Sequence, residues 1–389
     1  MYDGAELVAN AAPDGTMMPF PQKKQMQAGR LAFFLPDLGG GGAERVVLTL
    51  INGFIERGYE VDLVLGSRTG SLLPLIPAGT TVFDLGSPRL RHAVGGLVRY
   101  LKARRPDALH AMMWPSPVIA IIARSIARVG TRIIGSEHVV LSKTPMALKK
   151  RLVRNVTRLA YLKADGLIVV SKGVAEDLCA FVGIPRNRIM MIHNPLTLPK
   201  GLPGIDVAAG HWRAGTKKIL AVGELKAEKN YPLLLDAMAL LRKRDPAVSL
   251  LILGEGSLEE SLKRQVATAG LEDCVIFAGF VHDVWPYYSA ADVFVLSSNV
   301  EGFGNVLVEA MHAGTPVVST DCLSGPREIL AGGEFGALVP CGDPTALAEA
   351  LHVALATPHD PEALRRRAWA LSGSDPIDKH LAAMLGEAG

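Results

Sequence analysis

Short apolar runs alternate with stretches of helical period along almost the whole chain. Residues 31–35 are continuously apolar, residues 43–57 repeat apolar positions every three or four residues, and residues 61–65 are again dominated by Val and Leu. This rhythm predicts βαβ units, because parallel strands covered on both faces read as continuous hydrophobic segments. Further strands are predicted at 108–112, 132–135 and 166–170. A second series follows at 218–222, 250–253, 275–278, 293–296 and 316–319. Between the two series, Pro195, Pro199, Gly201, Pro203 and Gly204 interrupt any regular element and mark a connection.

The expected architecture is therefore α/β, with two doubly wound, Rossmann-like domains facing a central cleft. We place a flexible extension at 1–29, a first domain at 30–196, a linker at 197–214 and a second domain at 215–370. A final helix within 371–389 is expected to pack back toward the first domain. Ligands of doubly wound sheets bind beyond the carboxyl ends of the strands, so the cleft is where chemistry is expected.

The chain has 389 residues, of which 49% are hydrophobic and 20% charged, as in a soluble globular protein too long for one core. Its four cysteines, Cys179, Cys274, Cys322 and Cys341, have neither disulfide-framework nor zinc spacing. The N-terminal segment carries Asp3, Glu6 and Asp14 without an apolar core, which argues against a secretory signal, and no apolar run is long enough to span a bilayer. A cytoplasmic protein is expected. The net charge of +3 conceals an asymmetry: residues 1–200 hold 26 Lys and Arg against 14 Asp and Glu, whereas residues 201–389 hold 15 against 24.

Two glycine-rich turns carry candidate chemistry. After the first strand, Gly39, Gly40, Gly41 and Gly42 lead into a helix. They form either a mobile linker or a turn whose backbone can approach phosphate or sugar closely. The segment has no Gly-Lys-Ser/Thr and no dinucleotide fingerprint, so an NTPase or dehydrogenase is disfavoured. After the strand at 293–296 comes Glu301-Gly302-Phe303-Gly304, with Glu309 farther along the helix that begins near Gly304. Two carboxylates flanking a helix N-terminus can hold the hydroxyls of an extended ligand whose phosphates meet the helix amides. The plain alternative is an acidic loop followed by a solvated helix glutamate. A basic stretch, Lys143, Lys149, Lys150, Arg151, Arg154, Arg158 and Lys163, interleaves with Leu148, Leu152, Val156 and Leu159 at helical spacing. It reads as an ordinary solvated helix or as one suited to an anionic membrane or a lipid diphosphate; nucleic acid ranks behind both, since no RNA or DNA module accompanies it.

Glu301 and Glu309, seven residues apart around Gly302-Phe303-Gly304, resemble the E-x7-E element of family-4 retaining glycosyltransferases of the GT-B fold. The likeness runs from about Arg30 to the C-terminus. It includes Gly39-Gly-Gly-Gly-Ala-Glu-Arg45, Val169-Val-Ser-Lys-Gly-Val174, His193-Asn194-Pro195, the segment from Ala221 to Lys229, Leu253-Gly-Glu-Gly256 and Phe277-Ala-Gly-Phe-Val281. Ser324-Gly-Pro-Arg-Glu-Ile329 further resembles bacterial enzymes that transfer N-acetylhexosamines to polyprenyl-diphosphate-linked glycans.

The resemblance implies a UDP-sugar donor, with no other cofactor and no metal. Donor contacts would come from Gly41, Gly42, Lys229, Gly254, Phe280, Val281, Gly302, Phe303, Gly304 and Glu309, with Glu309 on the ribose and the backbone of Phe280 and Val281 at the base. His138 and Glu301 would act at the donor sugar. A lipid-linked glycan acceptor and the anionic inner membrane surface would face Lys143, Lys149, Lys150, Arg151, Arg154 and Arg158. The family's arginine-x4-lysine pair on the diphosphate is matched by Lys229, but Glu224 stands where the arginine belongs. A glutamate there repels phosphate unless it is paired or turned away, and Lys172 or Arg327 are candidate replacements. A nucleotide-sugar 2-epimerase of the same architecture, or a non-catalytic nucleotide-sugar or lipid-diphosphate binding protein, is the alternative.

Overall fold

The structure, a computed structural model, describes residues 29–144, 150–199, 201, 211–373 and 375–387. The first sheet collects β1 (Arg30–Leu35), β2 (Glu60–Leu65), β3 (Thr81–Asp84), β4 (Ala108–Met112), β5 (Arg132–Glu137), β6 (Gly166–Val169) and β7 (Ile189–Met191). They lie in the order β3-β2-β1-β4-β5-β6-β7, every pair parallel. Its helices are α1 (Gly42–Glu56), α2 (Val94–Arg104), α3 (Ser116–Ala127), α4 (Lys150–Tyr161) and α5 (Lys172–Asp177).

The second sheet has β8 (Lys217–Val222), β9 (Val248–Leu253), β10 (Val275–Phe277), β11 (Val293–Leu296), β12 (Val317–Thr320) and β13 (Ala337–Val339). Their order is β10-β9-β8-β11-β12-β13, again all parallel. The helices of this half are α6 (Tyr231–Arg244), α7 (Glu259–Ala269), α8 (Trp285–Ala290), α9 (Asn305–Ala313), α10 (Pro326–Ile329), α11 (Pro344–Ala356) and α12 (Pro361–Ser372), and α13 (Asp375–Leu385) closes the chain.

Burial explains why the apolar runs are strands. Every side chain from Leu31 to Leu35 is fully buried, as is nearly all of β9, because helices cover both faces of each sheet. Strand order reverses at β1/β4 in the first sheet and at β8/β11 in the second. The loops after β1, β8 and β11 therefore diverge there and leave the crevices in which doubly wound folds bind ligands.

After α12 the chain returns to the first sheet, where α13 packs on α1, β4 and β5. Met384 and Ala383 join the core of Leu31, Phe33 and Phe54. His380 of α13 lies 5.3 Å, ring to ring, from His110 of β4, which also contacts Phe33 at 5.6 Å. Both histidines are fully buried, and none of their ring nitrogens has a hydrogen-bond partner within the described protein.

Burial, with His138 adding to it, pushes His380 down to about 3, and His110 is likewise driven well below the ordinary imidazole range. Both are thus neutral in the fold, while the unfolded chain takes up their protons below about pH 6.5. Stability contributed by the neutral rings is complete above pH 6.5 and is lost as pH falls, on the order of 1 kcal/mol per pH unit per ring. His380→Phe should flatten the decline of unfolding free energy between pH 7 and pH 5 in urea titrations. An unchanged slope would contradict the assignment.

Candidate functional site

The loop after β11 is fixed from both halves of the molecule. Glu301, about one-tenth exposed, accepts hydrogen bonds on Oε1 from Lys229 Nζ at 2.6 Å and from Ser298 Oγ at 2.6 Å. Lys229 ends a short turn after β8. That turn is stitched to the loop by Ser297 Oγ donating to the Lys229 carbonyl at 2.8 Å, and by the Asn299 amide donating to the Glu228 carbonyl at 2.8 Å. The side chain of Lys229 runs over Gly223.

Gly302 is where the halves touch. A Cβ there would lie 1.8 Å from the carbonyl oxygen of His138, so only glycine fits. Its own carbonyl accepts from Ser171 Oγ at 2.7 Å and Ser324 Oγ at 3.0 Å. Phe303, buried, stacks on His193 with ring centroids 5.1 Å apart. Gly304 takes the left-handed conformation (φ 105°) that turns the chain into α9. At the head of that helix Asn305 accepts from Asn194 Nδ2 at 2.9 Å and donates to the Gly42 carbonyl at 3.4 Å. The glycine turn after β1, with Gly41 as N-cap of α1, thus faces the N-terminus of α9.

His138 follows β5, is nearly buried, and its Nε2 lies 3.1 Å from Ser136 Oγ; Nδ1 has no partner within the described protein. Burial pushes it down to about 4, so the imidazole is neutral at physiological pH. The preceding Glu137 is pushed up to about 8 by burial, against the hydrogen bond that Tyr161 of α4 donates to it. Glu309 of α9 is half-buried, and its Oε2 accepts from the Tyr288 hydroxyl at 2.8 Å. Burial raises this carboxyl, while Tyr288 and then Arg45 of α1, from the other half, oppose the shift. Nothing in local sequence pairs Tyr288 with Glu309, which lies 21 residues away.

Gly254, Phe280 and Val281 form a second corner beyond β9 and β10, across β8 from Glu301. A Cβ on Gly254 would lie 2.1 Å from the Gly223 carbonyl oxygen, and the Phe280 amide donates to Glu255 Oε1 at 3.2 Å. Of the candidate cations, Arg327 is exposed and paired with Asp321. Lys172 is exposed, with its backbone amide bonded to Glu328. Burial would raise Glu328, but the hydrogen bonds from His193 and the Lys172 amide outweigh it and hold the carboxyl below the ordinary range. Glu224 is itself paired, with Lys226 Nζ at 2.9 Å. Among the described residues no group of three or more His, Cys, Asp or Glu is arranged to hold a metal ion.

The basic helix α4 meets the site through Tyr161, which bonds to Glu137 next to His138. Lys149 falls outside the described residues, as does the side chain of Lys150. Helix α4 turns Thr157, Ala160 and Tyr161 inward, Trp114 Nε1 donating to Thr157 Oγ1 at 3.2 Å. The apolar positions that follow helical spacing point the other way. Leu152, Val156 and Leu159 are 55%, 43% and 65% exposed, flanked by exposed Arg151 and Arg158 and half-buried Arg154, with Lys143 exposed on the preceding turn. No helix among the described residues is long and apolar enough to cross a membrane.

Comparison with known proteins places the chain in a family. Residues 40–198 match the model of Glycosyltransferase Family 4, and residues 206–369 that of Glycosyl transferases group 1. A Campylobacter jejuni N-acetylgalactosamine-N,N'-diacetylbacillosaminyl-diphospho-undecaprenol 4-alpha-N-acetylgalactosaminyltransferase is 31% identical over 84% of this chain and 90% of its own length. A phosphatidyl-myo-inositol mannosyltransferase of Mycobacterium leprae is 31% identical over 87% and 89%. Among solved structures, Anabaena HepE in complex with UDP and glucose superposes with a TM-score of 0.79 at 22% identity, covering 92% of this chain and 99% of that one. Two parallel sheets meeting at Gly302 and His138, together with these relatives, make this chain a glycosyltransferase of family 4 with the GT-B fold.

Proposed function

We propose that the enzyme transfers a hexose or N-acetylhexosamine from a UDP-sugar to a lipid-linked glycan, with retention at the anomeric carbon, at the inner membrane face. The observation that carries this reading is the single constellation at Gly302: the Lys229–Glu301 pair, the N-terminus of α9 and neutral His138 lie around one backbone contact. The acceptor class rests on the Campylobacter relative, whose name describes a transfer to a diphospho-undecaprenol glycan.

In this reading the α9 amides and Lys229 hold the diphosphate, and Glu309 uses the oxygen not taken by Tyr288 for the ribose hydroxyls. Glu301, one oxygen engaged by Lys229 and Ser298, offers the other to the donor sugar. His138, neutral, hydrogen-bonds that sugar without adding charge beside the anomeric carbon. The acceptor hydroxyl oxygen bonds to the anomeric carbon on the face that the phosphate leaves. The electrons of the breaking bond go to the β-phosphate, which also takes the hydroxyl proton. Preorganised positive charge at the leaving group makes a resident metal unnecessary in this scheme, and neither glutamate acts as a glycosidase-type nucleophile.

The outward apolar stripe of α4 fits the membrane part of the proposal. Three aliphatic side chains rimmed by arginines suit insertion beside anionic headgroups.

Incubation of the purified protein with UDP-sugars and a membrane lipid extract should release UDP with at least one sugar, and Glu309→Ala should raise the donor KM about tenfold. No release with any sugar would sink the proposal. Leu152→Glu with Leu159→Glu should abolish co-sedimentation with vesicles rich in anionic phospholipid while leaving UDP affinity unchanged; parental co-sedimentation would rule out α4 as the membrane face.

A further inference from the structure

The loop after β8 holds two lysines, and the structure pairs each with a carboxylate in a different way. Lys229 and Glu301 are both largely buried, with side-chain exposures of 18% and 10%, and Glu301 is also fixed by Ser298. Lys226 and Glu224 meet at 2.9 Å near the surface, with exposures of 42% and 59%. An ion pair that open to solvent contributes about 0–1 kcal/mol, so little holds Lys226 in place. Its four-carbon stem can redirect the ammonium without moving the backbone.

The surroundings of Lys226 are acidic on both sides of the cleft. Glu224 contacts it, Glu228 and Glu301 act on it electrostatically from its own half, and Glu44 in the first turn of α1, itself under the influence of Asp37, does so from the other. A diphosphate entering this region meets that negative charge, and one lysine already neutralised by Glu301 is a weak answer to it. Position 224 itself carries a carboxylate, which leaves Lys226 as the second cation of this loop.

We propose that Lys226 is the second cation of the diphosphate site: without nucleotide it is parked on Glu224, and the bound diphosphate draws it off. A phosphate chain at the N-terminus of α9 carries more charge than one solvated carboxylate and sits where the helix amides concentrate its field, so the exchange is favourable. Glu224 then acts as a competitor that weakens nucleotide binding. The glutamate in the arginine's place tunes the clamp and does not disable it. This inference rests on the UDP-sugar reading above.

The test is calorimetric titration of the full chain with UDP, uridine and inorganic pyrophosphate. Lys226→Met should weaken UDP and pyrophosphate binding about tenfold and leave uridine unchanged, and Lys226→Arg should restore most of the loss. Glu224→Gln should tighten UDP severalfold, and that gain should vanish in Glu224→Gln/Lys226→Met. Parental UDP affinity in Lys226→Met would overturn the proposal, as would an equal loss of uridine binding, which marks a merely structural role, or weaker UDP binding in Glu224→Gln. Parental protein that binds pyrophosphate but not UDP contradicts the uridine donor and leaves the lysine arms to be read with pyrophosphate; protein that binds neither overturns both.

Discussion

The site depends on a contact that has room for no side chain. The backbone of Gly302 lies so close to the His138 carbonyl that a single added carbon would overlap it, and Ser171 and Ser324 pin the Gly302 carbonyl from either half of the molecule. Because Glu301 precedes that glycine and α9 begins three residues after it, the contact fixes the carboxylate, the helix amides and the histidine together. Close packing leaves no slack to absorb a displacement of this loop. Each half supplies part of a chemistry that neither carries alone.

Electrostatics in the site follows a pattern of local compensation. The first half of the chain is basic and the second acidic, yet three cations of the second half are paired within it: Lys229 with Glu301, Lys226 with Glu224 and Arg327 with Asp321. Burial separates these pairs in strength. Breaking a buried pair from one side costs about 3–5 kcal/mol, whereas an exposed one costs little. Lys229 is therefore a fixed part of the site and Lys226 a movable one. In the proposed reaction, neutral His138 adds no positive charge beside the developing oxocarbenium centre, where such a charge would oppose bond breaking.

Much of this was legible in the chain because parallel strands buried on both faces leave continuous apolar runs. The runs at 108–112 and 293–296 coincide with β4 and β11. Three strands escape that reading: β3 is half-exposed Thr-Val-Phe-Asp at a sheet edge, and β7 and β13 are three residues each, also at edges, too short to establish a period. Helical spacing in α4 was visible, but the period does not say which face meets the core. Here small Ala160, Thr157 and the bonded Tyr161 face inward, and the aliphatic stripe faces out. The partnerships of Tyr288 with Glu309 and of Arg45 with the same carboxyl join distant segments through the fold, so no motif announces them. Glu224 stood out in sequence as an anomaly, and only the pairing with Lys226 gives it a physical meaning.

The central claim is that the 301–304 loop and His138 form one site through the backbone contact at Gly302, and Gly302→Ala tests it most directly. The added carbon should drive the 301–304 loop off β5. Turnover with the donor sugar that the proposed assay identifies should fall at least about a hundredfold, as misplacement of reacting groups by an ångström does, while circular dichroism remains that of the parent. A folded Gly302→Ala protein with parental turnover would contradict the account.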